Sequence, residues 1–351
     1  MEPTRLFDFF HYQKEHFPQA QAIGGRSASG EWVYYSTDEV IEKANQVSRG
    51  LLALGVQPGD KIALVVYKNR PEWTIMDLGL QQIGAVNVPV YPTISPAEYE
   101  YIFNDAGVKL CFAGEGDLYD KVNSAKPNVA TLENIYTLDP QEGRPYWEDI
   151  FKAEGQEEVE QRKAAIQPAE MATIIYTSGT TGNPKGVMLS HNNIVSNVRA
   201  VKAYLPIKTG EIALSFLPLC HIFERTAAYS FVYNGINIVF TGTENLGGET
   251  GDLQAIKPHF FTTVPRLLEK VYEKIYNKGL ELTGLKNTLF FWALGLTDTY
   301  DYDKKFSGLT AMQWGIADKL IFSKWREALG GRVKGILTGA APCPVKIMRV
   351  F

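Results

Sequence analysis

The sequence has little cysteine, no long apolar run and no excess of one charge. Cys111, Cys220 and Cys343 are the only cysteines in 351 residues; they lie far apart, form no C-x-x-C pair and are odd in number. A disulfide framework and a zinc module are therefore excluded, and a reducing compartment is the default. The longest apolar stretch, residues 289–296, is far short of a bilayer span. The N-terminus, MEPTRLFDFFHYQKEHF, carries an acidic residue at position 2 and lacks the apolar core of a signal peptide. Thirty-five basic against 39 acidic residues leave a net charge of −4. That balance argues against a general nucleic-acid binder, and no polybasic patch for anionic lipid is evident.

What is present describes a folded α/β protein. Apolar residues make up 45% and charged residues 21%, which excludes disorder, collagen and coiled coil. At roughly 150 residues per domain the length corresponds to a little over two domains, enough to bury a large core. No internal repeat is visible.

Residues 36–113 alternate helix and strand signals. Ser36 and Glu39 make a capping box, followed by Val40, Ala44, Val47, Leu51 and Leu54 at helical spacing, with Gly55 able to close the helix. Residues 61–67 (KIALVVY) read as a strand buried on both faces. Pro71 opens a helix with Trp73, Met76, Leu80 and Ile83 on one face. Residues 85–91 form a second strand, in which Pro89 suggests an edge or a bulge. Ser95-Pro96-Ala97-Glu98 starts another helix, and residues 108–113 a third strand. This β-α-β-α-β order predicts a parallel sheet covered by helices.

Residues 114–168 have weaker periodicity, with a charged helical connector over 154–163. The main subdomain boundary is expected near Gln167-Pro168, giving a first α/β subdomain over 1–168 and a second over 169–351. In the second, strands are expected at 172–176, 212–216, 236–240, 259–264 and 333–338, and helices at 191–204, 222–234 and 265–278. The last opens at Pro265 and closes at Gly279. Residues 280–330 read as a helical excursion rich in Leu, Phe and Trp, whose aromatic stripe either packs or faces a membrane; packing is the commoner fate. Pro344 begins a helix that has no cap or polar tail before Phe351. The expectation is the N-terminal part of a longer protein, with a short terminal helix as the plainer alternative.

The strongest chemical signal is IIYTSGTTGNPKGVMLSH (174–191). An apolar strand leads into Thr177, Ser178, Gly179, Thr180, Thr181 and Gly182, with Lys185 beyond Asn183-Pro184. Glycines admit close backbone approach, successive N–H groups form a nest for phosphate oxygens, and hydroxyls add donors. A hydroxyl can also ligate Mg2+, and Lys185 supplies positive charge. The spacing fits neither Walker A nor G-x-G-x-x-G. A structural turn is the bland reading; the length, the buried-strand entry and the lysine favour polyphosphate binding.

This segment resembles the signature of the adenylate-forming (AMP-binding) superfamily, the AMP-forming acyl-CoA synthetases. Further stretches resemble the same family: Asn69-Arg70-Pro71-Glu72-Trp73, residues 83–86, residues 88–93, and Thr338-Gly339-Ala340-Ala341-Pro342. The last departs from the usual S-G-G-A-P at Thr338 and Ala340. L-P-L-C-H-I-F-E-R (217–225) is similar to the long-chain fatty acid–CoA ligase branch.

The resemblance implies the family's large N-terminal α/β domain, with mostly parallel sheets in two subdomains and the C-terminal domain absent. It implies ATP, Mg2+ and coenzyme A, and a long-chain fatty acid joined first to AMP and then to the thiol. Residues 177–185 would hold the β- and γ-phosphates. Thr180 would be the Mg2+-side hydroxyl, with Thr181 as the alternative. Gly339, Ala340, Ala341 and Pro342 would flank adenine. His221 would line the reacting centre, with Lys185 neutralising charge; a packed structural histidine is the competing reading for His221.

The expected location is cytoplasmic with peripheral membrane contact, and a homodimer is the expected assembly. Competing readings are loading of a carrier protein, or a non-catalytic nucleotide-binding module. The family's Y-G-x-T-E segment, ribose-binding Asp and catalytic C-terminal Lys are not in the chain. The 351-residue chain alone is therefore expected to turn over little or nothing, and robust thioester formation by the purified chain would overturn that expectation.

Overall fold

The computed structural model describes residues 1–177, 182–301, 303 and 305–351. In chain order its strands are β1 (Ile23–Arg26), β2 (Trp32–Tyr35), β3 (Lys61–Val65), β4 (Val86–Val90), β5 (Val108–Ala113), β6 (Asn134–Thr137), β7 (Met171–Thr177), β8 (Lys185–Ser190), β9 (Ile212–Ser215), β10 (Asn237–Phe240), β11 (Phe260–Thr263) and β12 (Gly335–Thr338). The chain divides into two compact units, Met1–Glu211 with Ser215–Thr243, and Ile212–Leu214 with Glu244–Phe351. They do not divide at Gln167-Pro168, because β7, beyond Pro168, joins the sheet begun by β3.

In the first unit one sheet runs β6-β5-β3-β4-β7-β8. Its strands are parallel except for the antiparallel pair β7–β8. The local signals act as expected. Ser36 Oγ accepts the Glu39 N–H (3.2 Å) while Glu39 Oε2 accepts the Ser36 N–H (2.7 Å), so two helix-end donors are satisfied reciprocally. Ser95 and Glu98 repeat the arrangement, and Gly107 closes their helix, Pro96–Ala106, at φ 67°. The core between this helix and the sheet is built from Val65, Val88, Ile102, Phe103 and Val108, all buried.

Pro89 is not at an edge: β4 lies between β3 and β7. The Val86 N–H points to the β3 side, where Asp60 O accepts it at 2.8 Å. By the period-two alternation, the donor that proline lacks would face β7. There the register holds only Asn87 opposite Thr173, so the missing donor breaks no ladder bond.

Four strands, β1, β2, β6 and β8, fall outside the expected elements. β1 pairs antiparallel with β2 and parallel with β10. Gly24 in β1 lets the Tyr34 ring lie where a Cβ would stand. β6 falls in the stretch of weaker periodicity over 114–168, ahead of the expected connector. β8 begins at the loop lysine itself.

The second unit carries β11 between β9 and β12, all parallel. Its helix Pro265–Leu280 runs through Gly279 instead of stopping there. The glycine is needed for space, since a Cβ would run into the Phe290 ring.

The N-terminal helix Asp8–His16 packs in the first unit against the helix Ile222–Tyr233, with Phe9 5.4 Å from Tyr229 and 5.5 Å from Tyr233 between ring centres. His191 fastens the segment before it: its Nδ1 accepts the Leu6 N–H at 3.2 Å, in a buried setting. Burial, reinforced by the Arg225 charge, presses the His191 pKa down to about 4. The folded state thus keeps the ring neutral, whereas the unfolded chain binds a proton near the ordinary value of 6.5. The stabilisation is complete above pH 6.5 and drains away as pH falls toward 4, by about 3 kcal/mol in all. Urea titrations across that window should show this loss, and His191→Gln should flatten it.

Candidate active site

The Gly/Ser/Thr loop is the connection of the β7–β8 hairpin. The register sets Ile175 against Val187, Tyr176 against Gly186 and Thr177 against Lys185. Thr177 and Lys185 are thus the last pair before the turn, both exposed. A hydroxyl and an ammonium are placed side by side at its mouth. Ser178, Gly179, Thr180 and Thr181 lie outside the described residues. Gly182, at φ 117°, takes a conformation that side-chain-bearing residues rarely adopt, although nothing would crowd a Cβ there. Gly186 is glycine for a different reason: a Cβ would lie 2.8 Å from Ile174 and 3.1 Å from the Tyr176 ring. Tyr176 donates its hydroxyl to Asp105 Oδ2 at 2.6 Å, tying β7 to the helix Pro96–Ala106. The base of the loop is therefore rigid on one side.

Two motifs far apart in the chain meet in the first unit. Asn69 donates to Leu217 O (2.6 Å) and Ser215 Oγ (3.0 Å), and its Oδ1 accepts the Leu219 N–H (3.2 Å). Ser215 in turn donates to buried Glu224 at 2.6 Å. Asn69 opens N-R-P-E-W, and its partners open L-P-L-C-H-I-F-E-R. Asn69 so holds the L-P-L segment, while the last two charges of I-F-E-R hold the following helix.

Arg225 donates to Asp77 through Nε (3.1 Å) and Nη2 (2.6 Å), with both residues only 1% exposed. Tyr229 donates to the same carboxylate at 2.5 Å, Asn87 at 2.7 Å and Gln81 at 3.2 Å. Asp77, Arg225, Glu224 and Asn69 were missed as site-building residues. The available signal was a lone acid in the apolar helix P-E-W-T-I-M-D-L-G-L and an adjacent acid and base in I-F-E-R.

His221 caps the helix Ile222–Tyr233. Its Nδ1 accepts the Phe223 N–H at 3.1 Å. That bond fixes the neutral tautomer with the proton on Nε2. Desolvation lowers its pKa as well, so the ring is neutral at pH 7 and carries its one N–H donor on Nε2. The adjacent Cys220 is not a nucleophile: it is buried, and desolvation pushes its thiol up to about 12.

In open parallel sheets ligands favour the carboxyl ends of strands at a topological switch. In the first unit that place, beyond β3 and β5, is closed by ion pairs. Arg70 meets Glu72 (2.8 Å), Asp139 (2.7 Å) and Glu115 (3.6 Å) there.

In the second unit Gly339, Ala340, Ala341 and Pro342 follow the carboxyl end of β12. The Gly339 N–H reaches Thr263 O at 3.3 Å. Ala340 sits at φ 66°, a left-handed conformation that costs a non-glycine residue about 1–2 kcal/mol. Strain of this kind persists where surroundings enforce it and gathers at ligand clamps. Thr263 and Thr338 are register partners in β11 and β12, and both hydroxyls are buried without a partner among the described residues. Two unsatisfied donors beside an exposed, strained turn suit a polar ring or ribose.

Among the described residues no cluster of three His, Cys, Asp or Glu side chains could hold a metal ion. The Mg2+-side hydroxyl expected at Thr180 lies outside those residues.

A hairpin with a hydroxyl–ammonium mouth, on a mostly parallel α/β fold, is the architecture of adenylate-forming enzymes. The chain matches the family model described as AMP-binding enzyme over residues 10–351, and it belongs to that family. It is 30% identical over 359 residues to the peroxisomal long chain acyl-CoA synthetase 6 of Arabidopsis thaliana, covering 98% of this chain and 50% of that protein. It is 31% identical over 369 residues to long-chain-fatty-acid–CoA ligase 5 of Rattus norvegicus, covering 99% and 52%. The chain thus spans about half the length of these curated relatives. A long-chain-fatty-acid-CoA ligase from Archaeoglobus fulgidus superposes with a TM-score of 0.71 at 18% identity, covering all of this chain and 60% of that one. That likeness bears on the fold alone.

The buried carboxylate generates a stability prediction. Removing one partner of a buried, hydrogen-bonded ion pair leaves the other charge uncompensated and costs about 3–5 kcal/mol. Asp77→Ala should lose that much in urea denaturation, and Asp77→Asn less, because the amide oxygen still accepts from Arg225 or Tyr229.

Proposed function

We propose that this chain is the ATP-binding portion of a long-chain fatty acid–CoA ligase (AMP-forming). In the proposed reaction a carboxylate oxygen of the fatty acid attacks the α-phosphorus of ATP. The α–β bridging bond breaks, and pyrophosphate leaves with the electron pair. The sulfur of coenzyme A, as thiolate, then attacks the acyl carbon, and AMP departs.

The observation that carries the reading is the Thr177–Lys185 pair at the base of the hairpin loop. The hydroxyl and the ammonium are suited to the β- and γ-phosphates, where charge accumulates as pyrophosphate leaves. Ser178, Gly179, Thr180, Thr181 and Gly182 would complete the cradle with backbone N–H groups and hydroxyls. Mg2+ at Thr180 would screen phosphate charge. The neutral His221, through its Nε2–H, is suited to donate to an oxygen of the carboxylate or α-phosphate without competing for the proton of an acid. Gly339, Ala340, Ala341 and Pro342 would face the adenine. The long-chain assignment is supported by the names of the relatives and by L-P-L-C-H-I-F-E-R. Among the described residues no helix is long and apolar enough to cross a membrane.

Carboxylate-dependent ATP–pyrophosphate exchange on the full-length protein tests the reading, with a long-chain fatty acid, acetate and benzoate in parallel. Exchange with the long-chain acid alone is expected; exchange with none of the three would overturn adenylation. Lys185→Ala should weaken ATP binding by about ten- to a hundredfold, the worth of one charge-assisted bond. Unchanged ATP affinity would return the loop to a structural role.

A further inference from the structure

The turn that delivers His221 is clasped from outside its own segment. The His221 N–H closes it on Pro218 O at 2.9 Å, and the helix Ile222–Tyr233 follows directly. Asn69 brackets Pro218: its side-chain nitrogen donates to Leu217 O at 2.6 Å, and its Oδ1 accepts the Leu219 N–H at 3.2 Å. One carboxamide thus serves a carbonyl and an N–H two residues apart, as a neighbouring strand would. The same nitrogen donates to Ser215 Oγ at 3.0 Å, and the Ser215 hydroxyl donates to Glu224 Oε1 at 2.6 Å. Asn69, Ser215 and Glu224 are all buried. Aspartate at position 69 would have the acceptor without the donors, and alanine would have neither.

Asn69 is itself mounted on both sides. The Lys68 N–H is accepted by Glu115 Oε1 at 2.7 Å, on the loop after β5. Arg70 donates through Nη1 and Nη2 to Asp139, beyond β6, at 3.1 and 2.7 Å. Its Nε donates to Glu72 at 2.8 Å and its Nη2 also to Leu138 O at 3.3 Å. The two neighbours of Asn69 are therefore fixed to the ends of β5 and β6. The ion pairs that close the carboxyl ends of β3 and β5 have a use here: they hold the residue that holds the turn. His221 carries the consequence. Its Nδ1 accepts the Phe223 N–H at 3.1 Å, and burial is the one cause that lowers its pKa. The setting of the ring thus depends on where the turn and the helix start leave it, and on no neighbouring charge.

We propose that Asn69 is a positioning residue for His221, and that the Arg70 ion-pair cluster is the mount on which it works. Asn69 touches no substrate; it acts by fixing both backbone groups that flank Pro218. A side chain that must meet a reacting group gains from such support, because a misplacement of about 1 Å far from the chemistry costs up to about a hundredfold in rate. That consequence rests on the proposed function, in which His221 donates to the carboxylate or α-phosphate. The clasp itself does not rest on it.

Histidine-selective nitrogen-15 labelling and a pH titration by nuclear magnetic resonance test the clasp without ATP or fatty acid. The His221 signal is assigned by its absence in His221→Gln. In the parent the ring should titrate below 6.5, and in Asn69→Ala it should move up toward 6.5 as the turn loosens and water reaches the ring. Arg70→Lys keeps the charge but loses the fork on Asp139, and should move it part of the way. Asn69→Asp keeps an acceptor for the Leu219 N–H and carries the same test if the alanine variant does not fold. A His221 titration that stays at the parent value in the folded Asn69 variant would overturn the proposal. In pyrophosphate exchange on the full-length protein, Asn69→Ala should lower kcat by about tenfold or more and leave the KM for ATP unchanged. In a His221→Ala background the same substitution should cost nothing further, as expected of two residues that act as one unit. An equal loss in both backgrounds would overturn the positioning role. A parent without exchange would count against the proposed function, and the titration would still decide the clasp.

Discussion

Five donors converge on one carboxylate in the first unit, and much of its architecture depends on them. Asp77 lies on the helix Pro71–Gln82 and accepts from Arg225 and Tyr229 on the helix Ile222–Tyr233, from Asn87 on β4, and from Gln81 on its own helix. An unpaired charge so deeply buried would be too costly to keep ionised. Paired and multiply hydrogen-bonded, it becomes a directional anchor. A purely apolar contact between the same helices could slide or rotate; the bidentate geometry of a guanidinium on a carboxylate cannot without losing both bonds.

That anchor fixes what the helix carries at its start. His221 sits at the amino end of the helix whose first turns are held by Glu224 and Arg225. The L-P-L segment before it is held by Asn69. Three backbone or side-chain groups from Asn69's surroundings and two from the acidic and basic residues of the helix therefore set the position of one imidazole. The imidazole's own bond to the Phe223 N–H sets its tautomer. Residues that touch no substrate in the proposed reaction thus determine where its one neutral donor points.

The hairpin that bears the glycine-rich loop shows a similar division between rigid base and functional tip. Tyr176 is tied to Asp105, and the absence of a side chain at Gly186 lets β8 cross closely. Thr177 and Lys185 end the paired region. In the second unit, strain at Ala340 and the unpartnered hydroxyls of Thr263 and Thr338 gather at the ends of β11 and β12. Both places follow the rule that sites are built at the ends of regular elements, where backbone is fixed and side chains remain free.

The sequence by itself determined the α/β class, the helix starts at Ser36 and Ser95, the parallel direction of β3, β4 and β5, and the location of the loop. Each of those signals is local: a cap spans three residues, a buried strand five or six, a loop ten or so. Tertiary structure alone decided that Arg225 pairs with Asp77, 148 residues away. It likewise decided that Asn69 holds the L-P-L segment, that Pro89 is tolerated inside a sheet, and that Gly279 makes room for Phe290. It also separated the excursion's aromatic residues, which pack, from Leu309, Met312, Ile316 and Leu320, which stay partly exposed. Periodicity reports that a residue is apolar and on which edge of its helix it lies. It carries no information about which neighbour, distant in the chain, covers that edge or leaves it bare.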